Sequence, residues 1–233
     1  MNSLKAIKNN IPNAITSLNL LAGAIACVFA LNSQTIYGSF TGYQVAFLFI
    51  ALATVFDFCD GLVARLLNSV SPLGKELDSL SDCISFGLAP SMLIYATLEH
   101  FQPGTIVNYS AFIIAIFGAL RLAKFNIDTT QTTSFKGIPI PANAIFWIGY
   151  INLCYEANAV SPVIYALIFI LSYLMVCNLP MFSFKAKDFS FASNWYRYLI
   201  VAIVVASIAC FGVTGLFYAI IAYIVLSLIV FIR

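Results

Sequence analysis

Four aspartates interrupt an otherwise apolar stretch. From Ala51 the chain reads ALATVFDFCDGLVARLLNSVSPLGKELDSLSDCISFGLAP. Asp57 precedes Arg65 by eight residues, which on a helix rising about 1.5 Å per residue places it about 12 Å inside. Asp57, Asp60, Gly61 and Ala64 fall at i, i+3, i+4 and i+7, one helical face, and Asp78 and Asp82 fall at i and i+4 on another. Carboxylates within a membrane cost about 2.5–3.5 kcal/mol each on insertion scales. Four in one crevice repel one another, and two divalent cations would balance them formally. Oxygen-only ligands favour Mg²⁺, Mn²⁺ or Ca²⁺ over zinc or copper. Two such ions can clamp a phosphate group and stabilise attacking and leaving oxygens. The chain carries no GxxxxGK[ST] phosphate loop, so metals would take over much of any phosphate binding. The competing reading of acidic residues in spans is a proton or cation path in a transporter.

The elements that position these residues follow from composition. Of 233 residues 62% are hydrophobic and 9% charged, against about 25% charged in a soluble domain. Some 20 formal charges are too few to face water over a surface of this size. That excludes a soluble enzyme, a disordered regulator and a nucleic-acid binder. An all-α, polytopic membrane helix bundle remains. Eight apolar segments are expected, at about 14–31, 43–66, 78–98, 109–126, 141–157, 161–179, 196–212 and 214–231. With the N-terminus in the cytoplasm all 11 basic residues, including Lys5, Lys8, Lys185, Lys187 and Arg233, fall on the inner side. The outer loops carry only Glu99, His100 and Glu156. This is the positive-inside pattern and predicts N-in, C-in topology. The six cysteines are scattered and read as buried apolar residues. No cleavable signal is expected, and a single membrane domain over 1–233 is. The acidic faces of the second and third spans should meet near the cytoplasmic boundary, with Gly61 and Ala64 leaving space beside them.

The pattern D-x2-D-G-x2-A-R-x8-G-x3-D-x3-D, with Asp57, Asp60, Gly61, Ala64, Arg65, Gly74, Asp78 and Asp82 at its fixed positions, resembles the signature of the CDP-alcohol phosphatidyltransferase family. PNAITSLNLLAG at 12–23, ELDSLSDCISFGLAP at 76–90, ALRLAKFNID at 119–128 and FKGIPIPANA at 135–144 are similar to its phosphatidylserine synthase branch. The resemblance implies a six-helix family core and transfer of phosphatidyl from CDP-diacylglycerol to the hydroxyl of L-serine, releasing CMP. It implies two divalent cations, Mn²⁺ or Mg²⁺, with Asp57, Asp60 and Asp78 as ligands and Asp82 as shared ligand and general base. Gly61, Ala64, Arg65 and Gly74 would line the cytidine diphosphate site. It further implies a homodimer among membrane lipids, with the active site facing the cytoplasm. A site near the interface suits a donor with two fatty tails and a charged head.

Other residues are expected around that core. A bidentate arginine is the natural reader of a carboxylate, so Arg121, with Asn126, either binds the acceptor serine or snorkels to lipid headgroups beside Lys124. Lys136 either covers the donor phosphates or is a solvated loop charge. Asn13 and Thr16 approach the nucleotide or cap the first span. Ser85 and Phe86 shape the acceptor pocket. Trp147, Trp195 and Tyr196 read as interface anchors, and His100 has no catalytic role. Rivals with the same fold and donor use glycerol 3-phosphate or inositol phosphate as acceptor; these would call for additional basic residues. An ion-coupled transporter would instead spread acidic residues towards both faces.

Overall fold

The computed structural model describes residues 2–128, 135–182 and 190–232. Lys185, Lys187 and Arg233 lie outside the described residues. The chain divides into two compact units, Met1–Leu122 and Ala123–Arg233.

The first unit holds α1 (Asn2–Leu31), a small hairpin of β1 (Ile36–Tyr37) and β2 (Phe40–Thr41), α2 (Gly42–Leu66), α3 (Pro72–Asp82) and α4 (Ala89–Phe101). A π-helical segment, Cys83–Leu88, joins α3 to α4, so residues 72–101 form one continuous helix. A 3₁₀ turn, Ile106–Phe112, leads into α5 (Ile113–Ile127), within which the boundary between the units falls. The second unit has α6 (Ile140–Glu156), α7 (Val163–Val176), α8 (Phe191–Phe211) and α9 (Gly215–Ile232). Its two-residue strands β3 (Phe135–Lys136) and β4 (Pro180–Met181) pair antiparallel. Among the described residues four helical stretches, Asn10–Leu31, Gly42–Leu66, Ile106–Ile127 and Asn194–Phe231, are long and apolar enough to cross a bilayer. The protein is a multi-pass membrane protein built from helices.

The turn between α2 and α3 comes directly from its residues. Asn68 sits at φ 50°, a conformation that asparagine tolerates better than most residues. Its N–H donates to Arg65 O at 3.2 Å and the next N–H, of Ser69, to Ala64 O at 2.9 Å. These two bonds close α2 as a Schellman motif. Two residues on, Ser71 caps α3. Its Oγ accepts from Gly74 N at 3.0 Å, and Pro72 occupies the first helical position. The connection is therefore only residues 67–71. The apolar pattern begins only at about 78, six residues after the helix does; the charged first turn, with Lys75 and Glu76, hides the start from hydropathy.

Helix α1 is the centre of the first unit, packing along α2 and against α3, the π segment and α4. The face it turns inward is small or polar: Pro12, Thr16, Asn19, Gly23, Ala26 and Ala30 are all buried. Small residues let helices approach closely in lipid, and polar ones bond across the gap. Ser81 Oγ donates to Thr16 O at 3.2 Å, with Leu77 O nearer at 2.8 Å, and Ser85 Oγ donates to Asn19 O at 2.9 Å. At Gly23 a Cβ would collide with Ser85, backbone included, so only glycine admits this approach.

In the second unit α9 packs on α6 and α8. Trp147, expected at an interface, is fully buried, and its Nε1 donates to Asn143 Oδ1 at 3.2 Å. An acceptor one helical turn back satisfies the indole inside the protein, so no headgroup is needed. Trp195 is 37% exposed, and Tyr196 carries the Arg197 guanidinium over its ring at 4.9 Å. Among the described residues the cysteines are free; Cys27 and Cys154 are buried and Cys210 is exposed.

Overpacking of this kind costs typically about 1–3 kcal/mol. Gly23→Ala should therefore lower the thermal unfolding midpoint of the purified protein by several degrees, while Ala24, on the exposed face of the same helix, should accept Ser without a measurable shift.

Candidate metal centre and cleft

Because α2 and α3 are antiparallel and tied by five residues, their acidic faces meet. Carboxylate oxygens of Asp57, Asp60 and Asp78 all lie within 4.8 Å of one another. Two oxygens opposite each other across one ion lie about 4.2 Å apart for Mg²⁺ and about 4.8 Å for Ca²⁺. Little adjustment would bring the three onto a common cation, and the donor set is oxygen alone, as a hard divalent ion requires. Asp60 is 5% and Asp82 8% exposed, while Asp57 and Asp78 are half-buried. Asp82 stands one turn beyond Asp78 on the same helix.

Each of the two buried carboxylates has a partner on α1. Thr16 Oγ1 lies 2.5 Å from Asp60 Oδ2 and 3.0 Å from Pro12 O. Its single proton serves one of them at a time, and the shorter contact, to a carboxylate, is the stronger. Asn19 Nδ2 donates to Asp82 Oδ1 at 3.2 Å. These are neutral donors, so none of the negative charge is cancelled by them.

Above the acidic residues opens a cleft of about 240 Å³. Helix α1 contributes Pro12, Asn13 and Thr16; α2 contributes Asp60, Gly61, Ala64 and Arg65; the connection contributes Ser69, Val70 and Ser71; α3 contributes Gly74, Lys75 and Asp78. Arg65 and Lys75 are exposed. The arrangement thus sets two cations around an opening whose floor is acidic, a layout that accepts a phosphate on one side and metal ions on the other. A methyl group at Gly61 would meet nothing within 4 Å, so the space there is open. One at Gly74 would press on Asn13 Oδ1 at 3.0 Å and Ser71 Oγ at 3.1 Å. Gly61 leaves room in the cleft, and Gly74 lets α3 come close to α1.

Of the residues singled out from sequence, Asn13, Thr16, Asp60, Gly61, Ala64, Arg65, Gly74 and Asp78 share this one cleft, with Asp57 and Asp82 a turn deeper. Ser85 and Phe86 do not line it: both are fully buried, and the Ser85 hydroxyl is given to α1. Arg121 and Asn126 are half-buried on α5. Five residues apart, they lie about 140° apart around the helix. Lys136, in β3, is exposed and pairs with Asp128 at 3.1 Å, and Lys124 Nζ donates to Val176 O at 3.2 Å, at the end of α7. Ser69, Ser71, Lys75 and Asn19 were not singled out. Ser71-Pro72 is a helix-start signal, and Asn19 continues the buried 12-16-19-23 stripe. A second cavity, of about 360 Å³ in the second unit, is walled by Ile145, Val204, Leu216 and other apolar side chains. Its lone hydroxyl, on Tyr223, donates to Phe182 O at 2.9 Å, and it carries no group for chemistry.

The profile of the CDP-alcohol phosphatidyltransferase family matches residues 9–177. A CDP-diacylglycerol–serine O-phosphatidyltransferase of Methanocaldococcus jannaschii is 37% identical over 162 residues, 69% of this chain and 70% of the relative. Proteins of the same name from Bacillus subtilis and Helicobacter pylori are 41% identical over 133 residues and 34% identical over 181 residues. These stretches cover 57% and 75% of this chain, and 70% and 72% of the relatives.

If Asp57, Asp60 and Asp78 hold one cation together, Asp57→Asn, Asp60→Asn and Asp78→Asn should each weaken Mn²⁺ binding at least tenfold in a titration read by electron paramagnetic resonance. Asp128→Asn, at the exposed ion pair, should leave binding unchanged.

Proposed function

This chain belongs to the CDP-alcohol phosphatidyltransferase family, and from that premise we propose that it transfers the phosphatidyl group of CDP-diacylglycerol to the hydroxyl of L-serine, giving phosphatidylserine and CMP. The observation that carries the reading is the convergence of carboxylates from α2 and α3 beneath a cleft rimmed by Arg65 and Lys75. The names of the relatives supply the acceptor.

Asp57, Asp60 and Asp78, with Asp82 shared, would hold two divalent cations, Mn²⁺ or Mg²⁺. When bound, such ions neutralise the diphosphate and stabilise charge on the phosphoryl and leaving oxygens. The protein's own groups do the rest. Thr16 fixes Asp60 on the wall of the cleft. Gly61 and Ala64 leave room for the cytidine, Arg65 and Lys75 meet the diphosphate from the rim, and Asn13 reaches the nucleotide. Serine's hydroxyl is a weak nucleophile at neutral pH. Asp82 takes its proton as the oxygen attacks phosphorus, the bond from phosphorus to the CMP oxygen breaks, and CMP departs. Arg121, with Asn126, binds the serine carboxylate, and Ser85 and Phe86 shape the acceptor side from behind by fixing the helix that carries Asp82.

In this reading the whole chain is one domain, supported by a family match that runs through both compact units. It lies in the cytoplasmic membrane with the cleft on the inner face, a placement that the distribution of basic residues supports, and it works as a homodimer.

Purified protein in detergent, given CDP-diacylglycerol, Mn²⁺ and labelled serine, should form labelled phosphatidylserine. Labelled lipid from glycerol 3-phosphate but none from serine would overturn the acceptor. Asp82→Ala should lower turnover by a factor on the order of 10²–10⁴ with normal membrane insertion. Arg121→Lys should raise the serine KM at least tenfold and leave that of the donor unchanged.

A further inference from the structure

Asn19 reaches the acidic residues from the middle of α1. It is fully buried. Its Nδ2 donates to Asp82 Oδ1 at 3.2 Å, and its main-chain carbonyl accepts from Ser85 Oγ at 2.9 Å. Its side-chain Oδ1 is also buried and has no hydrogen-bond partner. A buried acceptor left unmade costs about 1–3 kcal/mol, and native proteins seldom keep one without a reason.

Turning the amide over does not remove the problem. The oxygen would then face a carboxylate oxygen and Asp82 would lose its donor. Nor do neighbouring hydroxyls supply the missing proton. Thr16 faces Asp60 Oδ2 and Pro12 O, and Ser81 faces Leu77 O and Thr16 O. A donor that arrives with whatever the carboxylates bind would satisfy it. A hard divalent cation keeps several of its waters when held by carboxylates, and those waters are strong donors.

We propose that Asn19 is a positioning residue of the acidic centre: its amide N–H fixes Asp82 through Oδ1, and its orphan carbonyl oxygen accepts a hydrogen bond from water carried by the bound cation. This rests on the reading of Asp57, Asp60 and Asp78 as a cation site. It adds to that site a neutral partner that orients a carboxylate and holds the hydration shell, the role outer partners play at metal centres. A purely structural Asn19 would bond α1 to α3 and do nothing more.

Mn²⁺ alone, added to the full-length protein in detergent and followed by electron paramagnetic resonance, separates the two. Asn19→Leu is nearly isosteric and cannot hydrogen-bond; it should weaken Mn²⁺ binding about 10–100-fold while the elution profile stays that of the wild type. Asn19→Asp keeps an acceptor but not the donor. It should bind Mn²⁺ at least as tightly as wild type yet turn over at least tenfold more slowly, with the CDP-diacylglycerol KM unchanged. Wild-type Mn²⁺ affinity and turnover in a folded Asn19→Leu protein, or a lowered melting midpoint as its sole defect, would overturn the inference. Should Asn19→Leu fail to fold, the Asn19→Asp pair of readouts decides: full turnover overturns the proposal. No Mn²⁺ binding by the wild type would instead overturn the cation site itself, which keeps the two failures apart.

Discussion

A carboxylate held inside the apolar part of a membrane helix costs about 2.5–3.5 kcal/mol, and α2 and α3 together carry four. Bringing them together worsens matters by repulsion, yet Asp57, Asp60 and Asp78 converge to within 4.8 Å. A cation at the point of convergence would relieve that repulsion, and the residues around it are compatible with one. Arg65 and Lys75 line the cleft from its exposed side. Thr16 and Asn19 satisfy Asp60 and Asp82 with neutral donors, which hold geometry and leave the charge uncancelled.

Helix α1 makes this possible through what it lacks. Its inner stripe has no large side chain from Pro12 to Ala30, so α3 and the π segment lie against its backbone. Ser81 and Ser85, four residues apart, reach the carbonyls of Thr16 and Asn19, three apart. Residues four apart share a helical face, so both serines turn toward α1, and the π segment begins directly after Asp82. Packing and polar bonding thus converge on the turn that carries Asp82.

Much of this was legible in the chain. The spacings of the aspartates fixed which side chains share a face, because a helix has one period and these residues obey it. Each expected apolar segment contains a helix or most of one, since lipid permits little else. What escaped was set by local bonding, to which hydropathy is blind. The start of α3 was misplaced because the Ser71 cap and Pro72, not apolar residues, define it. Trp147 was placed at an interface because its partner, Asn143, is a tertiary fact. That Ser85 and Phe86 are buried, with the Ser85 hydroxyl bonded to Asn19 O, is likewise a tertiary fact. The bond from Asn19 to Asp82 joins residues 63 apart in the chain, and no spacing rule announces it.

The connection of only five residues between α2 and α3 has a consequence for binding. Closing a short loop costs little conformational entropy, and that cost is met when the chain folds. The carboxylates that must gather around an ion are already neighbours through the covalent chain, at a high effective concentration that does not depend on the ion's arrival. Occupancy then requires desolvation and small side-chain adjustments, not assembly. A centre preorganised in this way could take up and release a cation without the helices around it coming apart.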